Sequence, residues 1–584
     1  MAKSASGASN VWRINLFAII VMVVMGLIVY RLFNLTFVQH SAFVQSAKSQ
    51  YNNPSALLAG RGNIYFSDLA SDNRKIGVTN RSSFYLYTNN QKISSAGEIA
   101  SKLAPILNIQ QSDLETQLSQ EDKTYLVIAQ GLSKDQADKI NGLKIAGVTA
   151  ASEITRFYAF ESLAASVLGF VGFDNGRRAG QYGVESYYDD VLSGDSRTQS
   201  FFGNKTYSSF LNIFKFGKDE EPETTMQQSE EQTGSDILLT IDHNIQSLIE
   251  VKLKELLNKW DAESGSIIIQ DPTTGAILAM TSSPSFDPNN YSDYGLSSFI
   301  NPNVQEVFEP GSSFKPITMA AAVDAGAVTP DTTYDDTGAV KIGGYTIRNF
   351  NEKANGIQTM REVLQKSLNT GAIYAQRSAG DDTFLNYVVS FGFGQKSGAD
   401  LSGEVSGNIS NLFSGRDINF ATASFGQGIA VTPLQLINAY SAIANGGKLM
   451  RPYVVDGIIR PDGSRTKTEP EIIGSPISEK TATQMKSMLI DVVDKGFDKA
   501  RIKGYDVAGK TGTAQIPDAA GGYLENDQFI HDFVGFAPAY SPRFVILIKI
   551  DKPQGIRFAS DSLSPAFGDI ARFLIRYFNI PPTR

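Results

Sequence analysis

The sequence predicts an α+β protein in three parts, and three observations point to it. Ile14 to Phe33 is an apolar run of about twenty residues, long enough to cross a bilayer as one helix. Between residues 40 and 230, short strand and helix patterns mix. From Asp236 onward, strand patterns stand early and late with a helical middle. That order suits an antiparallel sheet whose N- and C-terminal parts sit together, flanked by helices and beside a helical lobe.

The first part divides into a short polar tail, 1–13, and the apolar segment 14–33. No small-x-small cleavage site follows the run, so it reads as an uncleaved signal anchor. Lys3 and Arg13 flank it on one side, which puts the N-terminus in the cytoplasm and all that follows Asn34 outside the membrane. Contact with lipid through 14–33, in a single pass of the plasma membrane, is the expectation. A fully buried soluble helix is the competing reading.

The second part, 34–218, carries strand patterns at Phe84–Tyr87 and Tyr125–Ala129 and helical patterns at Gly97–Leu107, Asp113–Leu118 and Lys134–Ile140. It holds no catalytic constellation and reads as a structural or partner-binding module. Its last stretch, 201–218, is rich in Phe and Tyr and suits a packed hairpin or a membrane contact. The acidic, Thr- and Gln-rich stretch 219–235 reads as a linker.

The third part, 236–584, opens with a short strand at Ile237–Ile241 and an amphipathic helix at Gln246–Lys259. Strands at Ser266–Gln270 and Ala276–Thr281 are joined by Asp271-Pro272-Thr273-Thr274-Gly275, a turn by its proline and glycine placement. Helical patterns cover 359–391 and Thr432–Asn445, and glycine and serine mark 392–415 as a loop. Strands at Tyr505–Gln515 and Phe544–Ile550 and a helix at Pro565–Phe578 close the chain.

Composition narrows the chemistry. The 584 residues have 52 basic against 60 acidic side chains, a net charge of -8 and no basic stripe, which argues against nucleic acid as a partner. With no cysteine, a thiol nucleophile, a disulfide scaffold and a thiolate metal site are excluded. The three histidines, His40, His243 and His531, are too few and too scattered for a zinc site and disfavour a Ser-His-Asp triad. A lysine base gains weight accordingly.

Such a base is present in Glu309-Pro310-Gly311-Ser312-Ser313-Phe314-Lys315-Pro316. A helix beginning at Gly311 or Ser312 puts the hydroxyl of Ser312 and the amine of Lys315 on one face, one turn apart. Pro316 suits a first turn, where its missing N–H has no partner to lose. A serine at a helix N-terminus beside a lysine of lowered pKa is an activated nucleophile. Ser367-Leu368-Asn369 follows inside a helical pattern, and Lys510-Thr511-Gly512-Thr513 lies on a strand pattern near the C-terminus. The ordered set Ser-x-x-Lys, Ser-x-Asn, Lys-Thr-Gly marks penicillin-recognising serine enzymes.

On these residues the chain resembles a class B penicillin-binding protein, a monofunctional peptidoglycan D,D-transpeptidase. Asp271–Gly275, Ser424-Phe425-Gly426-Gln427-Gly428 and Ala508–Gln515 extend the resemblance. Nearer the membrane it rests on Arg61-Gly62-Asn63-Ile64, with Phe66 where an aspartate is usual, on Arg156-Phe157-Tyr158, with Ala159 where a proline is usual, and on Gly180–Glu185. The resemblance implies an elongated pedestal over 34–218, of the dimerisation-domain kind, and a serine β-lactamase-like transpeptidase domain over 236–584. No upstream glycosyltransferase domain fits before Asp236.

It further implies that Ser312 attacks a stem-peptide D-alanyl carbonyl with Lys315 as base, and that Ser367 relays the proton to the leaving amine. Asn369 would hold Lys315 and the substrate amide. Lys510, Thr511, Gly512 and Thr513 would bind the terminal carboxylate, and the N–H groups of Ser312 and Thr513 would form the oxyanion hole. No metal and no cofactor are implied. β-Lactams are the expected inhibitors, and a polytopic membrane glycosyltransferase of the SEDS type, with other division or elongation proteins, the expected partners. Asn369 leans toward the septal, cell-division type over the elongation type. A membrane-bound β-lactamase or β-lactam sensor and a catalytically silent scaffold remain alternatives.

Overall fold

The computed structural model describes residues 15–17, 19, 21–22, 25–26, 60–71, 73–120, 125–174, 177–193, 233–496, 498–516, 522–523 and 528–584. The aromatic stretch 201–218, nearly all of the linker 219–235 and most of the apolar run 14–33 lie outside them. The described residues of that run are helical. Among the described residues, no helix is long and apolar enough to cross a membrane.

The chain forms two compact units, one containing Ser82–Ile154 and the other Gly60–Arg81 with Thr155–Arg584. In the first, helices Ala96–Leu107, Gln111–Leu118 and Lys134–Gly142 enclose a core that includes Leu86, Ile99, Leu103, Leu114 and Ile140. Ser95 and Ser133 cap two of these helices, Ser133 in a reciprocal box with Gln136, which satisfies N–H groups no helix bond reaches.

The larger unit is built on a five-stranded antiparallel sheet. Its strands are β1 (Ser264–Gln270), β2 (Ile277–Ser283), β3 (Ala508–Gln515), β4 (Phe529–Ala537) and β5 (Phe544–Asp551). Their order is β3-β4-β5-β1-β2, so the early and late strands meet where β5 pairs with β1. Nearly every residue in β1, β4 and β5 is buried, because both faces are covered. Ile267, Ile269, Ile546 and Ile548 pack into one cluster with Phe567 and Ile570 of the closing helix Ser564–Tyr577. Ile268, Val545 and Leu547 point the other way, into a cluster with Ile317, Ala321 and Ile437. This is the period-two alternation of a strand sandwiched between helices.

Helix α1 (Lys315–Asp324) is buried from Lys315 through Val323, as its alanine-rich apolar run predicts. The strand expected from Tyr505 begins only at Ala508, because Tyr505 closes a turn onto Ile502 O.

A second sheet of this unit pairs Ile64–Asp68 in parallel with Asp236–Asp242. Beside it the three motifs of the N-terminal half converge. Arg61 Nε donates to Glu185 at 2.9 Å and Nη1 to Asp189 at 2.7 Å, and Arg156 Nε donates to Glu185 at 2.7 Å. Glu185 is fully buried. Burial pushes its carboxyl up, but Arg156 and Arg61 outweigh that and hold it below its ordinary value. Phe66 takes no part in these bonds; it fills the core beside Val78.

Removing Glu185 takes its buried carboxylate partner from Arg156 and one of two from Arg61, so Glu185→Ala is expected to lower stability by about 3–5 kcal/mol, read as a fall in the urea midpoint. Because the folded carboxyl is held low, its contribution is present at neutral pH. It is lost as pH falls through the acidic carboxylate range.

Candidate active site

The turn that carries Ser312 is fixed from beneath. Gly311 has φ +56°, a conformation glycine adopts without strain, and its N–H donates to Gly426 O at 3.0 Å. A Cβ on Gly426 would overlap the Gly311 carbonyl, so the Ser424–Gly428 stretch can approach this closely only as glycine. Tyr440 donates its hydroxyl to Ser313 O at 2.7 Å, and Thr318 Oγ1 donates to Ser424 O at 2.8 Å. Glu309 accepts from Gly428 N and from the Tyr523 hydroxyl, each at 3.0 Å. A 3-10 turn over Gly311–Phe314 then leads into α1.

One turn on, the Lys315 side chain is fully buried. Its Nζ contacts Ser312 Oγ at 3.0 Å, Ser367 Oγ at 3.1 Å and Ser367 O at 2.5 Å. Burial, and then the charge of Lys510, push its pKa well below the ordinary lysine value. Both act in one direction, because each disfavours the ammonium form. A neutral amine at hydrogen-bond distance from a serine hydroxyl can take its proton, so the pair fits a nucleophile and its base.

Ser367 does not lie inside a helix, as the helical pattern around it suggested. The helix Met360–Gln365 ends there, and the next begins at Asn369. Ser367 N bonds to Leu364 O and Leu368 N to Val363 O, the paired closure of a Schellman cap. Ser367, at φ +56°, occupies the left-handed position that glycine usually fills, at a cost of about 1–2 kcal/mol for a side-chain-bearing residue. This break lets both oxygens of Ser367 face Lys315. Asn369 is also placed otherwise than expected. Its amide donates to Arg348 O at 2.9 Å, and the hydrogen bonds of Lys315 Nζ go to Ser312 and Ser367 instead. Next to it, Thr370 and Asn349 both bond to the buried Asp336, anchoring the start of the second helix.

The third motif lies on β3. Lys510, Thr511 and Gly512 are buried and Thr513 half-buried. Lys510 Nζ donates to Thr511 O at 3.0 Å, and burial lowers its pKa to about 7 against the opposing pull of Asp532. Thr513 Oγ1 accepts from Ala559 N at 3.2 Å. A Cβ on Gly512 would overlap Asp532 Oδ2 and stand 2.5 Å from Pro310 O. The bare backbone of Gly512 is therefore what lets β3 lie against the serine turn.

Sequence reasoning did not find Asp532. It is a carboxylate within the otherwise largely apolar β4, and that lone charge was the available signal. Tyr440 and the Arg348 carbonyl were also missed, since nothing in sequence marks a core tyrosine or a backbone oxygen as part of a site.

A serine bonded to a buried lysine, on a helix packed against an antiparallel sheet, defines a serine acyl-transfer enzyme. Residues 265–572 match the family model described as the penicillin binding protein transpeptidase domain, and residues 56–209 the penicillin-binding protein dimerisation domain. Stage V sporulation protein D of Bacillus subtilis is 33% identical over 517 residues, covering 87% of this chain and 77% of its own. Peptidoglycan D,D-transpeptidase FtsI of Escherichia coli is 30% identical over 493 residues, covering 84% and 78%. The crystal structure of penicillin binding protein 3 from Mycobacterium tuberculosis superposes with a TM-score of 0.63 at 30% identity, covering 74% of this chain and 92% of that one. The chain belongs to the penicillin-binding protein transpeptidase family, in its class B arrangement of a dimerisation domain followed by a transpeptidase domain.

Gly512→Ala is expected to push the serine turn off β3 and to slow acylation by a β-lactam about 100-fold, the scale of a 1 Å misplacement. Stopped-flow acylation rates, with the melting temperature as control, check this.

Proposed function

We propose that this protein is a septal peptidoglycan D,D-transpeptidase working through an acyl-enzyme on Ser312. The observation that carries the reading is the 3.0 Å contact between Ser312 Oγ and Lys315 Nζ, with the amine pushed toward neutrality by burial and by Lys510. Lys315 takes the hydroxyl proton as Ser312 Oγ bonds to the carbonyl carbon between the last two D-alanines of a stem peptide. The C–N bond then breaks, and the leaving D-alanine amine receives a proton through Ser367. An amine of a neighbouring strand attacks the ester, releases Ser312 and completes the cross-link.

Lys510, Thr511, Gly512 and Thr513 hold the terminal carboxylate. The N–H groups of Ser312 and Thr513 receive the oxyanion, each donor worth about 3 kcal/mol in enzymes of this kind. Asn369, tied to Arg348 O in the free protein, turns to the substrate amide. The septal role rests on Asn369, the residue that division-type members of the family carry. Residues 14–33 form the single membrane anchor, 34–218 the pedestal, 219–235 the linker and 236–584 the catalytic domain outside the membrane. A SEDS-type glycosyltransferase contacts the anchor and pedestal. Penicillin binding protein 3 of Mycobacterium tuberculosis is described in complexes with aztreonam and ampicillin, and β-lactams are the proposed inhibitors here.

The full chain in detergent, incubated with a fluorescent penicillin, is expected to carry a stable label that Ser312→Ala abolishes. A label that forms and is lost within seconds would indicate a β-lactamase, and no label a silent scaffold. The acylation rate should follow a bell in pH. It rises as Lys315 loses its proton and falls as Lys510 loses its own, from about 7 upward in the free protein.

A further inference from the structure

The chain between Asp336 and Gly356 is an excursion closed at its base. Thr333–Asp336 pairs with Gly356–Thr359, and between them Ala339–Ile342 and Tyr345–Arg348 form a hairpin. One carboxylate ties the excursion together. Asp336 is fully buried and lies at the foot of the hairpin, where Asn349 N donates to Gly338 O at 3.0 Å. It accepts from Gly338 N at 3.0 Å on one strand and from Asn349 Nδ2 at 2.8 and 2.9 Å on the other. Asn355, where the chain returns, donates its N–H at 3.1 Å and its Nδ2 at 2.5 Å. The Thr370 hydroxyl donates at 2.7 Å from helix Asn369–Ala379. An ionised carboxylate accepts on both oxygens, so it can serve donors from four residues at once. Burial pushes this carboxyl up, but the bonds from Asn355, Thr370, Gly338 and Asn349 outweigh that and hold it below its ordinary value.

The bond to Thr370 reaches the active site. Thr370 follows Asn369, and Asn349 follows Arg348. Asn349 Oδ1 accepts from Thr370 N at 3.2 Å, and Arg348 O accepts from Asn369 Nδ2 at 2.9 Å. Two consecutive residues of the excursion are thus held against two consecutive residues at the helix start, and Asp336 bonds to one of each pair. The helix start has little room to shift. The Tyr334 hydroxyl lies 3.1 Å from Thr370 Oγ1, and a Cβ on Gly371 would overlap Val363 and stand 2.8 Å from that hydroxyl.

We propose that Asp336 is a positioning residue that fixes Arg348-Asn349 against Thr370, and so fixes where Asn369 meets a substrate or inhibitor that carries an acyl amide. When the Asn369 side chain leaves Arg348 O for the ligand, its backbone stays held through Thr370, so little order remains to be gained on binding. A carboxylate that touches no reacting atom thereby sets the preference for acylated substrates. The proposal rests on the reading given above, that Asn369 receives the substrate amide.

Two penicillins separate this role from a general one in folding. Benzylpenicillin carries an acyl amide on the β-lactam nucleus, and 6-aminopenicillanic acid is the same nucleus with a free amino group. For the full chain in detergent, the ratio of their acylation rates measures what the amide contributes. Asp336→Asn is expected to lower that ratio about tenfold, the scale of one well-placed hydrogen bond, and Asn369→Ala to lower it as well. In the Asn369→Ala background Asp336→Asn should lower the ratio no further, because both act through one contact. If melting shows that Asp336→Asn does not fold, Thr370→Val removes one bond of the network at nearly constant size and is expected to lower the ratio in its place. A ratio that stays at the wild-type value, with both rates reduced equally or neither reduced, would leave Asp336 a residue of folding alone and overturn the proposal. A further fall in the Asn369→Ala background would overturn it too. A ratio unmoved by Asn369→Ala itself would overturn the reading of Asn369, and this proposal with it.

Discussion

Two lysines share one buried cleft, and the rest of the site depends on how their charges are arranged. Two ammonium groups cannot both be kept in a dry interior without compensation. Lys315 is surrounded by oxygens of Ser312 and Ser367 and pushed toward neutrality by burial and by Lys510, while burial lowers Lys510 to about 7 against the opposing pull of Asp532. In the proposed mechanism one lysine is the base and the other receives the substrate carboxylate, the division of labour that differing surroundings allow a pair of titratable groups.

The fold supplies the rigidity this requires. Lys510 lies on a strand near the C-terminus and Ser312 at the start of a helix from the middle of the chain. They meet because β5 pairs with β1, closing late strands onto early ones. Close approach then depends on missing side chains, at Gly426 beneath the serine turn and at Gly512 on β3. Ser367 enters the site through a helix break that places a left-handed serine in a Schellman cap. Each of these features is a local backbone requirement, and together they position the hydroxyl, the amine and the second serine.

Much of this was legible in sequence, for reasons particular to each element. The alanine-rich run after Pro316 could only be a buried helix, and Ser-x-x-Lys at its start put hydroxyl and amine on one face. Four of the sheet's five strands were visible in sequence, and their early and late placement implied closure; β4 was not foreseen. What sequence did not yield was long-range or conformational. The helical periodicity around Ser367 hid the break, because Leu364, Gln365 and Lys366 before it are good helix formers and no glycine stood at position 367 to mark the cap. The bond from Asn369 to the Arg348 carbonyl involves a backbone atom with no sequence signature. Asp532 was not singled out, because the strand that carries it was not foreseen and only register places it against Gly512. The convergence of Arg61, Arg156 and Glu185 likewise joins motifs that are far apart in the chain.

The central claim is that Lys315 is neutral in the resting protein at physiological pH. The most direct measurement is an NMR titration of the lysine side-chain nitrogens in the labelled full chain, with the Lys315 signal assigned by its loss in Lys315→Arg. This nitrogen is expected to titrate well below the ordinary lysine range, with a chemical shift at neutral pH typical of a free amine. A Lys315 signal that stays that of an ammonium up to the ordinary lysine value of about 10.4 would contradict the claim.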